Sequence, residues 1–324
     1  MKRVIIDTDP GIDDTIALLL LCASDDVVIE GITTVGGNVS LDQVTRNALT
    51  ILELAGRTDI GVYRGAAGSM SGGEGRHVFA HGEDGLGNLG LSPTSAVGAR
   101  EGSAVDFLVE SAREHPGEMS LLAIGPLTNV AAAVLADPAF VSNIGQIVLM
   151  GGAEGAGNMT PSAEFNAWSD PVAADVVFRA GFDRLVMVGL DATRQAHLTP
   201  GVRELLRQLD TPVSRFVHAI TRSYVDFAFA EQGRLAAELH DPLAAAYLLD
   251  PAVFVSHPAN VEVCTEGLCQ GRTVVARSSD FPHLTPNARV AGEVDAGRFF
   301  TLLLTTLFPD ASELITRVVA HEYR

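Results

Sequence analysis

The run Asp7-Thr8-Asp9-Pro10-Gly11-Ile12-Asp13-Asp14 constrains the fold of this chain more than any other stretch. It follows Arg3-Val4-Ile5-Ile6, a β-branched segment that reads as a buried strand. It precedes Thr15-Ile16-Ala17-Leu18-Leu19-Leu20-Leu21, which reads as a buried helix. Four carboxylates therefore crowd the turn where a strand hands over to a helix. Pro10 and Gly11 suit that turn, because proline fixes φ and glycine accepts backbone shapes that other residues avoid. In open α/β sheets, ligands bind in the crevice beyond the carboxyl end of the strands. Asp13 and Asp14 could serve only the dipole of the following helix. Asp7 and Asp9 close a buried strand and have no such use. A hard divalent cation with oxygen ligands, Ca²⁺ or Mg²⁺, is the natural counter-charge.

The alternation of strand and helix continues downstream. Residues 27–34, 119–124, 146–150 and 185–188 read as strands. Amphipathic segments over 41–55 and 103–115, an Ala-rich one after Asn129 and one from Asp170-Pro171 to Gly181 read as the helices between them. Residues 200–250 are helical in pattern, with Thr199-Pro200, Thr211-Pro212 and Asp241-Pro242 each resembling a cap followed by proline. Residues 253–294 read as short, partly antiparallel strands and 296–308 as a closing helix. The Gly-rich segment 64–98, with His77 and His81, reads as a long functional loop. The pattern predicts an α/β fold with a mostly parallel central sheet flanked by helices, plus extra C-terminal helices and short antiparallel strands. No linker or repeat divides the chain, so one domain over 1–324 is expected.

Composition narrows the function classes. The formal net charge of −18 excludes a basic footprint for nucleic acid or anionic membrane. No apolar run is long enough to span a bilayer. Three cysteines without regular spacing fit a reducing compartment, and a strand that starts this early leaves no room for a signal peptide; a cytoplasmic location is expected. Lysine occurs once, at Lys2, which removes a Walker A loop and any downstream lysine for phosphate neutralisation. A Mg²⁺-dependent phosphatase of the Asp-x-Asp type, which needs such a lysine, is therefore a weak rival. A nucleoside- or sugar-binding protein without turnover is the non-enzymatic alternative.

Polar residues gather after the strands: Asp7 and Asp9, Asn38, the backbone around Gly125, then Asn158, Glu164 and Asn166. All of these points fall on one edge of a parallel sheet and can converge on one pocket.

The acidic run resembles the N-terminal motif of the inosine–uridine-preferring nucleoside hydrolase family. The similarity continues in order through Thr33-Thr34-Val35-Gly36-Gly37-Asn38, His81-Gly82, Gly125-Pro126-Leu127-Thr128-Asn129, Met150-Gly151-Gly152, Ala163-Glu164-Phe165-Asn166 and His240-Asp241-Pro242. The resemblance implies hydrolysis of the N-glycosidic bond of ribonucleosides, with one Ca²⁺ per chain, nucleoside salvage as the setting, and a homodimer or homotetramer. It implies Asp9, Asp14, Asp241 and the backbone carbonyl of Ile124 as calcium ligands, with Asp9 also the base for the attacking water. Asp7 would brace the loop behind them. Asp13, Asn38, Asn158, Glu164 and Asn166 would hold the ribose, a donor and acceptor set that suits hydroxyls. His240 would protonate the departing base, since histidine titrates near neutrality. His81, Phe165, Tyr224, Phe227, Phe229 and Arg234 would face the nucleobase. Purine against pyrimidine preference stays open.

Overall fold

The computed structural model describes residues 1–72, 79–94 and 98–323; His77 lies outside them. The first half alternates through β1 (Lys2–Thr8), α1 (Ile12–Ala23), β2 (Val27–Thr34), α2 (Leu41–Leu54) and β3 (Val62–Arg64), then α3 (Ala104–Glu114), β4 (Met119–Ala123), α4 (Thr128–Ala136), α5 (Ala139–Asn143) and β5 (Ile144–Met150). The second half runs α6 (Phe165–Ser169), α7 (Pro171–Arg179), β6 (Leu185–Val188), α8 (Leu190–Thr193), β7 (His197–Leu198), α9 (Pro200–Leu209), α10 (Pro212–Gln232), β8 (Ala237–Glu238) and α11 (His240–Leu249). It closes with β9 (Phe254–Val263), β10 (Thr273–Arg277), β11 (Ala288–Val294), α12 (Ala296–Leu307) and α13 (Ser312–Glu322).

Nine strands form one sheet in the order β10-β9-β11-β6-β5-β4-β1-β2-β3. The chain builds outward from β1 to β2 and β3, then crosses back to lay β4 on the other side of β1. Both neighbours run parallel to β1. That reversal is the topological switch point, where helices leave the sheet in opposite directions and open a crevice. Strand β9 runs antiparallel to β10 and β11, while β11 pairs parallel with β6. The C-terminal strands thus extend the main sheet rather than forming a unit of their own.

Alternate residues of β1 feed two cores, as the period of a strand requires. Val4 and Ile6 join α1, α11 and α12 on one face, and Ile5 joins α3, α4 and α7 on the other. A strand buried on both faces reads as a continuous apolar run, which explains Val4-Ile5-Ile6. Helix α1 is buried almost all round, which explains its unbroken leucines.

Local signals place most helix starts. Asp170, Thr199 and Thr211 each accept a hydrogen bond from a backbone N–H in the following turn. Asp241 departs from that pattern. Helix α11 begins one residue earlier, at His240, and its cap residue Leu239 offers no side-chain bond. Asp241 therefore sits inside the first turn, and its carboxylate meets that of Asp14 rather than capping the helix. Helix α13 also lies beyond the expected closing helix; it buries Ile315 and Val319 against the same core. Among the described residues no helix is long and apolar enough to cross a membrane.

Leu18 of α1 is fully buried in the core that α1 shares with α11 and α12. Leu18→Ala is expected to lower the unfolding free energy by about 2–5 kcal/mol, seen as a lower denaturant midpoint with an unchanged slope.

Candidate functional site

The acidic turn leaves β1 at the switch point and is held by its neighbours. Asp14 accepts from the Thr8 hydroxyl at 2.5 Å and from the Gly11 N–H at 2.9 Å, closing the first turn of α1. Asn38, in the loop that follows β2, ties the acidic turn from the side. Its N–H donates to Asp9 Oδ2 at 2.7 Å, and its amide donates to the Asp9 carbonyl and Asp14 Oδ2, each at 3.1 Å. Two glycines let these groups approach. A Cβ on Gly37 would strike Asp9 Oδ2, and one on Gly11 would lie 2.6 Å from His81 Nδ1. Beneath the loop, Asp7 accepts from Thr33 and Asn129 at 2.5 and 2.8 Å.

Helix α11 brings the remaining acid. One carboxylate oxygen each from Asp13, Asp14 and Asp241 falls within 4.8 Å of the others, and all three residues are buried. Asp13 also faces the backbone N–H groups of His240 and Asp241, so it serves the start of α11 that Leu239 leaves uncapped. The carboxylates crowd one another in a dry site. Burial, then the charges of Asp13, Asp14 and Asp9, hold Asp241 well above the usual carboxylate range. Burial, then Asp14, does the same for Asp9. Burial raises Asp13 to about 6. Among the described residues the only basic group within ion-pair distance of these acids is His81, 3.8 Å from Asp13. One oxygen of Asp9 and one of Asp7 are buried without a hydrogen-bond partner. Uncompensated buried charge is costly, so such a group takes up protons or a cation. An all-oxygen donor set with an orphaned carboxylate oxygen fits a hard divalent cation.

The site opens into a cavity of about 420 Å³. At its acid end stand Asp9, Asp13, Asp241, Asn38, the Ile124 backbone and Asn166. Asn166 donates to the carbonyls of Ile124 and Met150, each at 3.1 Å, and so clips together the ends of β4 and β5. The amide nitrogens of Asn38 and Asn166 are committed to protein, which leaves their carbonyl oxygens as acceptors. His81, His240, Asn158, Phe165, Tyr224 and Phe227 complete the expected wall.

Other expectations fail in instructive ways. Glu164 does not line the cavity. Its carboxylate accepts from the backbone N–H of Gly152, Asn166 and Ala167, so it caps α6 and positions Asn166. Phe229 is 55% exposed and outside the cavity. On α10 the inward face is Tyr224, Phe227, Ala228 and Glu231, at i, i+3, i+4 and i+7, and Phe229 is turned away from it. Arg234 lies beyond the Gly233 cap, and its guanidinium meets Glu238 and His197. Asp14 stands behind the wall rather than in it; Asp7, expected to brace the loop, also lies behind it. Arg194, Glu238, Met159 and Gln232 line the cavity without having been anticipated. Two signals existed. Arg194 follows β6 at the same sheet edge as the other site residues. Glu238 lies two residues before His240, on the same side of an extended segment.

The histidines are not poised near neutrality. Burial pushes His240 down to about 3 and His81 down to about 4. His81 Nδ1 accepts from the Ile12 N–H at 3.0 Å, so its proton sits on Nε2. His240 Nδ1 lies 2.7 Å from the Thr193 hydroxyl. Both are neutral imidazoles that can offer an N–H.

Comparison with known proteins adds a separate line of support. The family model for inosine-uridine preferring nucleoside hydrolase matches residues 4–301. The probable uridine nucleosidase 2 of Oryza sativa subsp. japonica is 42% identical over 275 residues, covering 84% of this chain and 81% of that protein. A solved plant nucleoside hydrolase superposes with a TM-score of 0.90 at 38% identity, covering 94% of this chain and 98% of that one. The purine-preferring ribonucleoside hydrolase from Gardnerella vaginalis superposes with a TM-score of 0.89 at 34% identity, covering 98% and 100%.

The raised carboxylates give a pH test with a defined sign. Between the ordinary value of 3.8 and about 6, folded Asp13 keeps a proton that the unfolded chain has released. Without metal, that group's contribution to stability falls as pH rises through this window. A cation binds the deprotonated form, so its stabilisation grows with pH. The gap in melting temperature between Ca²⁺-loaded and chelated protein is expected to widen from about pH 5 to about pH 7. A gap that is constant or shrinks would contradict the carboxylate site.

Proposed function

Because the chain belongs to the inosine–uridine preferring nucleoside hydrolase family, we propose that the acid end of its cavity holds one Ca²⁺ and the ribose of a nucleoside, with the base at the opposite end. The enzyme splits the N-glycosidic bond of ribonucleosides with water, giving ribose and free base. The observation that carries the residue assignment is the unpaired, buried Asp9 Oδ1 beside Asp14 and Asp241 at the switch point.

Asp9, Asp14, Asp241 and the Ile124 carbonyl are the ligands in this reading; the tight carboxylate cluster is Asp13, Asp14 and Asp241, and Asp9 joins it through its electrostatic effect on Asp241. A bound cation would keep these carboxylates ionised and would supply Lewis acidity to the attacking water and the sugar hydroxyls. Asp9 Oδ1 takes the proton from the water that attacks C1′. Asp13 and the free carbonyl oxygens of Asn38 and Asn166 accept from ribose hydroxyls, and Asn158 closes over the sugar. Positive charge grows on the ribosyl ring as the C1′–N bond breaks, and the carboxylates face it. The bonding electrons pass to the base, which needs a hydrogen-bond donor or a proton. His240 and His81 stand there as neutral N–H donors, a role that depressed pKa values suit. Tyr224, Phe227 and Phe165 form the apolar faces against which the base lies. A homodimer or homotetramer, in the cytoplasm, belongs to the same reading by family analogy.

Ribose release from a panel of ribonucleosides, with Ca²⁺ and after chelation, tests this directly. Chelation is expected to abolish turnover. Asp9→Asn should lower kcat by roughly 10²–10⁴-fold with the fold intact; near-normal turnover would refute the assignment. 2′-Deoxyribonucleosides should react far more slowly than ribonucleosides, and equal rates would count against a sugar diol held at the acid end.

A further inference from the structure

Two charged side chains that line the cavity have uncommitted atoms. Glu238, at the end of β8, has a side chain only 14% exposed. Its Oε1 accepts from Arg234 at 3.2 Å and lies 3.8 Å from His197 Nε2. Its Oε2 accepts no hydrogen bond from the described residues and lies 3.8 Å from His240 Nε2. Arg194, at the end of α8, donates from its two terminal nitrogens to the carbonyls of Ala156 and Gly157, each at 2.8 Å. A guanidinium has five N–H donors, so three remain. Both residues line the cavity with His240, Tyr224 and Phe227. Arg194 and Arg234 also act on Glu238 electrostatically, against the effect of its burial.

A donor and an acceptor thus line the same cavity as the aromatic faces. We propose that Glu238 and Arg194 read the edge of the nucleobase, Glu238 Oε2 accepting a ring N–H and Arg194 donating to the carbonyl oxygen next to it. The bases that match are those with an N–H beside a C=O, and uracil and its 5-methyl form are the pyrimidines of that class. Cytosine presents a bare ring nitrogen at the same position and leaves the carboxylate without a donor. A buried group left unpaired is a strong basis for rejection. Arg234, expected at the base itself, instead holds Oε1 and so fixes the direction of Oε2. The proposal rests on nucleoside hydrolysis at this cavity.

The test compares uridine, N3-methyluridine and cytidine by kcat/KM for ribose release, in the Ca²⁺-loaded protein and in its E238A and E238Q variants. N3-methylation removes the one N–H that Glu238 would accept. The unmodified enzyme is expected to prefer uridine over N3-methyluridine by roughly 10–100-fold, the range for a hydrogen bond to a charged group. E238A should collapse that preference, and E238Q should leave an intermediate one. Equal rates on the two substrates, or an E238A variant that keeps the full preference, would overturn the proposal; a residue that merely anchors Arg234 would not move the ratio. If E238A does not fold, the unmodified enzyme and E238Q still decide the matter. Absence of ribose from every nucleoside would overturn the hydrolase reading itself, and this inference with it.

Discussion

Repulsion among buried carboxylates is the constraint around which this structure is arranged. Asp9, Asp13, Asp14 and Asp241 occupy one dry site; the first three all raise the proton affinity of Asp241, and Asp13 and Asp14 raise that of Asp9. Left alone they would separate or become protonated. The fold prevents separation by tying three of them to backbone or a hydroxyl: Asp9 to Asn38, Asp14 to Thr8 and Gly11, Asp13 to the start of α11. These ties are short because β1, β2 and α1 meet there and because Gly11 and Gly37 have no side chains. What remains unsatisfied, above all Asp9 Oδ1, is the capacity to bind a cation and take a proton. Crowding raises the electrostatic energy of these carboxylates when ionised, and the rigid sheet beneath keeps them together.

The cavity divides its labour along its length. The acid end is built from loops that follow β1, β2, β4 and β5, the rigid centre of the sheet. The far end is built from α8, α10 and the β7–β8 pair, whose side chains are larger and more polar at the rim. Between them lie two histidines that burial keeps neutral. A charged imidazole beside a bound cation would be repelled; a neutral one can sit close and still donate. The wall between the two ends is the segment after β5, and distant residues pin it. Thr273 bonds both the N–H and the carbonyl of Ala153, Asp191 accepts from the N–H groups of Glu154 and Gly155, and Arg194 grips the next two carbonyls. The Glu154 carboxylate meets Arg277 through two bonds. A stretch with no helix or strand is thereby fixed as firmly as an element, and it carries Asn158 and Met159 into the cavity wall.

Much of this was legible in the amino-acid order because it is local. Strand β1, its acidic turn and helix α1 follow from β-branched, turn-forming and leucine-rich residues in succession, and their partners after later strands follow from the rule that parallel strands present their carboxyl ends together. The direction of a side chain at a helix end is not local. Glu164 and Asn166 look like a matched pair in sequence, yet one caps the helix and only the other reaches the cavity. Phe227 and Phe229 look equivalent, yet a rotation of about 200° separates them on the helix, at roughly 100° per residue.

The sequence alone determined the fold class, the position of the acidic site and the kind of ion it suits, because hydrophobic period and charge density are properties of neighbouring residues. Tertiary structure alone decided which carboxylates share a site, that the histidines are neutral, and that Arg194 and Glu238 face the cavity. Those outcomes depend on burial and on distances between elements far apart in the chain. A carboxylate's pKa and an arginine's partner are set by what surrounds them in space, and the chain order does not contain that information until the sheet has closed.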